Sequence, residues 1–234
     1  MAVRPPDPPA AAASPTPTVG AAVLCGGASR RLGVDKASQS VGGLPLAVVM
    51  GRVARLAGAV SVMGIGARPT AADALAAEGM GVVADRWPGE GPVGGVVTAL
   101  RASGSDLLVV LGCDHPWLRP ATVATLVQTL TANPGCAAVV AEADGWMHPT
   151  VGVWRVAACV APGETYFVGG GRSLSGLADH IGARSVVVDV VEVRDVDTPD
   201  DLASARAGLS PGTLRGTVTD GGDDSTTTAP TWTR

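Results

Sequence analysis

Aromatic side chains are scarce: one Tyr, one Phe and five Trp among 234 residues. A core built without them must come from Val, Ala and Leu, and small or β-branched residues of this kind suit a sheet interior packed by Ala-rich helices. Charge is sparse too. Only 16% of residues are charged and the formal net charge is -4. No Lys/Arg-rich run supplies the clustered positive charge that a nucleic-acid backbone requires. The four cysteines (Cys25, Cys113, Cys136 and Cys159) form no CxxC pair, which fits reduced thiols better than a disulfide framework or a structural zinc site. No stretch reaches the ~20 apolar residues of a membrane span. Prolines interrupt the N-terminal stretch where the apolar part of a secretory leader would lie. The expectation is a cytoplasmic protein with neither nucleic acid nor membrane as partner.

What is present points to one α/β domain. Hydrophobic residues make up 46% of the chain, enough for one sizeable core at this length. Residues 1–18 and 210–234 are Pro-, Ala-, Thr-, Gly- and Asp-rich with little to bury, and read as disordered tails around a domain spanning 19–209. Within it, β-branched runs alternate with Ala/Leu-rich stretches at helical spacing, the pattern of βαβ units around a mostly parallel sheet. Strands are predicted at Val19–Cys25, Ala59–Ile65, Met80–Asp85 and Asp106–Cys113, and three more at Ala137–Ala141, Thr150–Val156 and Ser185–Val191. Helices are predicted at Leu46–Leu56, Thr70–Glu78, Val93–Arg101 and Pro199–Ala207, the last capped by Thr198. Polar residues collect beyond the carboxyl ends of the strands, where open α/β sheets bind ligands.

The segment Leu24-Cys-Gly-Gly-Ala-Ser-Arg-Arg-Leu-Gly-Val-Asp-Lys36 follows the first strand. Its glycines allow backbone N–H groups close to phosphate oxygens, and its cations can neutralise a triphosphate. The spacing is neither GxGxxG nor GxxxxGK[ST], and a glycine-rich turn with solvated basic residues is the competing reading. Asp114, at the end of the strongest strand, is either a hard oxygen ligand for a bridging metal or a helix cap. Asp195 and Asp197, two residues apart, face one way if extended, while Asp197-Thr198-Pro199 also makes a good helix start. His115 reads as a turn residue and His148 as acceptor-side binding or packing. Arg172, in Gly169-Gly-Gly-Arg-Ser173, is either a phosphate grip or a solvated loop arginine.

The first of these segments resembles the LAGGxSxRMGxDK motif of the molybdenum cofactor guanylyltransferases, the MobA-type branch of the nucleotidyltransferase superfamily. Its neighbours arrive in that family's order: Val83-Ala-Asp85, Gly91-Pro-Val-Gly-Gly95, Cys113-Asp-His-Pro116, His148-Pro-Thr150 and Asp195-Val-Asp-Thr-Pro-Asp200. The resemblance implies a three-layer Rossmann-like fold of the nucleotide-diphospho-sugar transferase type and transfer of GMP from GTP to a phosphorylated pterin, with Mg2+ as cofactor. It implies that Leu24, Cys25, Gly26, Gly27, Gly64 and Asp85 bind the nucleotide, that Arg31 and Lys36 hold the triphosphate, and that Asp114 and Asp197 ligate the metal. His148 and Arg172 fall on the acceptor side, and contacts with other cofactor-assembly proteins are expected. Three positions depart from the pattern: Cys25 for Ala, Gly64 where Asn often meets the base, and DVDTPDD for an Asn-rich motif. The last feature is shared with cytidylyltransferases, so cytidylyl transfer stands as an alternative, and an inactive nucleotide-binding partner in cofactor assembly as another.

Overall fold

The computed structural model describes residues 16–27 and 32–208; both sequence-predicted tails, apart from Thr16–Thr18, lie outside them, as does Arg31. Seven strands form one sheet in the order β5-β4-β1-β6-β8-β7-β9. They are β1 (Val19–Leu24), β4 (Ser61–Ile65), β5 (Gly81–Val83), β6 (Leu107–Gly112), β7 (Ala138–Ala143), β8 (Trp146–Arg155) and β9 (Arg184–Val187). A small hairpin, β2 (Ser40–Val41) with β3 (Leu44–Pro45), stands apart. Only β8 runs antiparallel to its neighbours β6 and β7; the other pairings are parallel.

Alternating burial along each strand splits the core into two layers. Ala21, Val23, Val109 and Leu111 face one side with α1 (Leu46–Leu56), α2 (Pro69–Ala77) and α4 (Pro120–Ala132). Ala22, Leu24, Leu108 and Val110 face the other with α3 (Pro92–Ala102), α5 (Val156–Val168) and α6 (Leu174–Ile181). Helix α7 (Pro199–Gly208) packs Leu202 and Ala205 with Val41, Leu46 and Val196. The sequence-predicted class, α/β with a mostly parallel sheet between helices, is the observed one.

Several boundaries move for physical reasons. Strand β4 begins at Ser61 rather than Ala59, because Gly58 (φ +101) and Ala59 still close α1, the Ala59 N–H donating to Ala54 O at 3.0 Å. The run Ser185–Val191 is no single strand: β9 ends at Val187, and the Asp189 carboxylate accepts from Val191 N–H at 2.9 Å and starts a 3-10 turn, Val190–Val193. The strand expected at Thr150–Val156 is longer and earlier. Helices α4, α5 and α6, absent from the sequence reading, fill the second half. At the other end the chain is anchored before β1: Thr18 N–H and hydroxyl both donate to Asp106 Oδ2 at 2.8 Å.

This topology places the chemistry. From β1 the sheet grows toward β4 and β5 on one side and toward β6 on the other, so the carboxyl ends of β1 and β6 flank a topological switch point, where the connecting loops diverge and leave a crevice.

Candidate active site

That crevice is a cleft of about 880 Å³. Leu24, Cys25, Gly26 and Gly27 line it from β1, Ile65, Gly66 and Arg68 from β4, Asp85 from β5, and Gly112, Cys113 and Asp114 from β6. Gly89, Gly91, Pro92 and Gly95 add the loop and first turn of α3. Gly91 takes φ +91 and Pro92 opens the helix, so the positive end of the α3 dipole faces the cleft, favourable for an anion. The Cys25 and Gly26 N–H groups donate to Ile65 O at 2.9 and 3.2 Å, which locks the loop after β1 onto the end of β4.

Lys36 sits in a single 3-10 turn (Lys36–Ser38) and lines the same cleft. Its ammonium donates to Asp114 Oδ2 at 3.0 Å and to Asp197 Oδ1 at 2.8 Å. Three residues far apart in the chain thus meet at one point. Burial works against the ammonium, but the two carboxylates outweigh it and push its pKa up to about 12. Asp114 is held below the usual carboxylate range: burial opposes its ionisation, and His115 and Lys36 overcome it. Asp195 is raised, by burial first and by repulsion from Asp114 and Asp197, against the pull of His115 and Lys36.

His115 does more than fill a turn. Its ring is buried, with Nε2 2.9 Å from the Thr150 hydroxyl and Nδ1 3.2 Å from Asp195 Oδ1, the latter a close approach without an aligned hydrogen bond. The Val196 N–H also donates to Asp114 O at 2.9 Å. These contacts tie the segments carrying Asp114, Thr150 and Asp195 together. A run of polar residues at three strand ends was the available signal; their mutual contact was not.

Other sequence-predicted site residues fall elsewhere. Gly64 does not line the cleft. Its α-hydrogen faces Leu75, where an added Cβ would meet Cδ1 at 2.4 Å; strand periodicity turns Ile65, one residue on, toward the opening instead. His148, on β8, borders a smaller cavity with Val190, Val191, Val193, Arg194 and Asp195, and burial, then repulsion from His115, lowers its pKa. Arg172 stands at the cleft rim, its backbone against Gly91. Its guanidinium pairs with Glu90 at 3.1 Å, donates to Phe167 O at 2.8 Å and lies 4.2 Å over the Phe167 ring. Arg68 and Gly66, which the sequence reading passed over, do line the cleft. The cysteines are free and buried; burial pushes the Cys25 thiol up to about 12, so it is no nucleophile at neutral pH.

A glycine-lined anion cleft at the switch point, closed by a Lys–Asp cluster, is the arrangement of an α/β nucleotidyltransferase. A family model described as a MobA-like NTP transferase domain matches residues 21–181. A molybdenum cofactor guanylyltransferase from Cereibacter sphaeroides is 35% identical over 189 residues, 79% of this chain and 94% of that one. A probable molybdenum cofactor guanylyltransferase from Natronomonas pharaonis is 31% identical over 201 residues, 80% and 96% of the two chains. Among solved structures, molybdopterin-guanine dinucleotide biosynthesis protein A from Archaeoglobus fulgidus superposes with a TM-score of 0.65 at 22% identity, covering 80% of this chain and 97% of the other. The chain belongs to the MobA-like NTP transferase family. No helix among its described residues is long and apolar enough to cross a membrane.

Proposed function

We propose that the protein transfers GMP from GTP to the phosphate of molybdopterin or the molybdenum cofactor and releases pyrophosphate. The observation that carries this reading is the Lys36 ammonium bridging Asp114 and Asp197 beside the glycine loop, and the names of the relatives supply the nucleotide and acceptor. The reaction is in-line attack of an acceptor phosphate oxygen on the α-phosphorus, with the P–O bond to the β-phosphate breaking as the new one forms. A phosphate nucleophile is already ionised at pH 7, so no general base is required. The buried, protonated Cys25 fits direct transfer.

The cluster suits a hard divalent cation: an ammonium already sits between two of its carboxylates, and ligand atoms of Asp114, His115 and Asp195 lie within 4.8 Å of one another beside it. Asp114 and Asp197 would hold Mg2+, which supplies charge neutralisation on phosphate oxygens when bound. Lys36 then exchanges a carboxylate partner for triphosphate, and the α3 N-terminus adds its dipole to phosphate binding. Arg172 grips acceptor phosphate by giving up Glu90, and His148 serves the acceptor from the smaller cavity beside Asp195. Work in the cytoplasm, with acceptor supplied by other cofactor-assembly proteins, completes the proposal.

The test is pyrophosphate release with Mg2+ and molybdopterin-type acceptor, run separately with GTP, CTP, ATP and UTP, with Asp114→Ala as control. GTP-dependent release lost in the control supports the reading. Preference for CTP selects the cytidylyl alternative, and nucleotide binding without release from folded protein selects the inactive partner.

A further inference from the structure

We propose that Thr150 is a further substrate-binding residue: its hydroxyl donates to the phosphate of the acceptor, with His115 behind it as a positioning residue. The inference rests on the transfer reading above and names the subsite that takes the acceptor's phosphate. Strand β8 lies on the far side of β6 from β1 and β4, so it meets the cleft from the side of Asp114 rather than from that of the glycine loop. Its register against β6 pairs Leu111 with Val151, which sets Thr150 level with Gly112, at the end of β6 that leads into Asp114. The strand is also bulged. One step on β7, from Val140 to Ala141, carries the pairing on β8 from Gly152 to His148. Residues 149–151 stand out of that ladder, and Pro149 has no N–H to give to it. A bulge re-aims a side chain and is a recurring device beside active sites. Among the described residues of β8, Thr150 is the one that lines the cleft.

The hydroxyl is only half committed. A threonine oxygen accepts through its lone pairs and donates one hydrogen, and among the described residues its one side-chain partner is His115 Nε2 at 2.9 Å. Asp114 Oδ1 lies 3.6 Å from that nitrogen and Asp195 Oδ1 lies 3.2 Å from Nδ1; each carboxylate favours hydrogen on the nitrogen it faces. The Nε2–H therefore donates, the Thr150 oxygen accepts, and the threonine's own hydrogen is left for the cleft. His115 is 1% exposed, so no water competes for its ring. A phosphate drawn in beside Asp114 meets an oriented donor there, and a hydrogen bond to an ionised oxygen is among the stronger kinds. On the reading above Arg172 supplies charge to that phosphate; Thr150 supplies direction.

The experiment titrates molybdopterin, and separately its dephosphorylated form, into the full chain loaded with Mg2+ and α,β-methylene-GTP, whose bridging carbon prevents transfer, and reads both affinities by calorimetry. The wild type prefers the phosphorylated form. Thr150→Val keeps the shape of the side chain and lowers that preference by roughly 10- to 150-fold, the range for a hydrogen bond to a charged group. Thr150→Ser recovers it. His115→Leu lowers the preference as well, and His115→Gln, which returns an N–H donor near the place of Nε2, restores part of it. Added to Thr150→Val, His115→Leu costs little more, because both remove the same hydrogen bond. Binding of the GTP analogue by each variant reports that its fold is intact; where Val at 150 fails that check, Thr150→Ala set against Thr150→Ser makes the same comparison. A phosphate preference that survives Thr150→Val, or one lost equally in Thr150→Ser, overturns the assignment. A preference lost in Thr150→Val while wild-type protein releases no pyrophosphate from GTP sinks the transfer reaction and supports the subsite. Pyrophosphate release by Thr150→Val at the wild-type acceptor KM sinks the subsite alone.

Discussion

Replacing Lys36 by Met keeps the side chain's length and deletes the ammonium that bridges Asp114 and Asp197 at 3.0 and 2.8 Å. At the effective permittivity of ~20 that suits such groups, each contact carries about 6 kcal/mol of gross attraction. Desolvation of the ammonium, whose side chain is 12% exposed, cancels most of it, and the 40% exposure of Asp197 screens that arm further. A net loss of about 2 kcal/mol remains, a Tm decrease of about 4–8 °C for a domain of this size. The sign with pH is fixed by the shifts. Lys36 has its pKa raised to about 12, so its contribution is complete below the ordinary lysine value and disappears as pH rises through about 12. In the variant the destabilisation shrinks as pH falls and Asp195, raised by burial, takes up its proton. Mg2+ should stabilise the variant more than the wild type, because it replaces a missing positive charge, and kcat should fall by about 10²- to 10³-fold. Thermal and urea unfolding at pH 4 to 8, with and without Mg2+, measure this. A Lys36→Met protein with wild-type Tm and no larger response to Mg2+ would refute the compensation argument.

Gly112→Ala would place a Cβ 2.6 Å from Asp114 Oδ1 and 3.1 Å from His115 Nε2; the carboxylate must turn away, and steady-state kinetics should find kcat reduced about 10²-fold in a folded protein. His115→Ala leaves the Thr150 hydroxyl without its 2.9 Å partner and should cost about 2 kcal/mol in urea unfolding, with His115→Asn recovering part of it. Thr198 and Asp201 form a reciprocal cap at the start of α7: the Asp201 N–H donates to the Thr198 hydroxyl, and the Thr198 N–H donates to Asp201 Oδ2. Thr198→Ala should cost about 1 kcal/mol. The Thr198 hydroxyl, then Arg194, depress the Asp201 pKa to about 2, so the stability it adds is present above the ordinary aspartate value and is lost as pH falls through about 2. Asp201→Asn should flatten that acid limb of the urea midpoint.

The first half of the chain was legible because its signals were local. Helix α1 occupies Leu46–Leu56 as its periodicity predicts, and the apolar run before Cys113 forms the buried β6. The second half was harder. Helix α5 contains Pro162 and Gly163, which read as breakers, yet it is retained where Gly163 allows close approach to Val97 of α3. Helix α4 is rich in Thr and Val, poor helix formers, although Val123, Leu126 and Leu130 keep a buried stripe at helical spacing. At the site, the cations and carboxylates were recognisable by type, but the partners of Arg172 and His115 were not, since Glu90 is 82 residues from Arg172 and Thr150 is 35 from His115.

By itself the sequence determined the strand–loop–helix grammar, the family and the loop after β1, because each depends on residues adjacent in the chain. The tertiary structure decided which carboxylates share Lys36, that His115 links three segments, and that Arg68 and Asp85 line the cleft while Gly64 packs against Leu75. Those outcomes depend on register and side-chain direction between elements far apart in sequence, and only the closed sheet sets them.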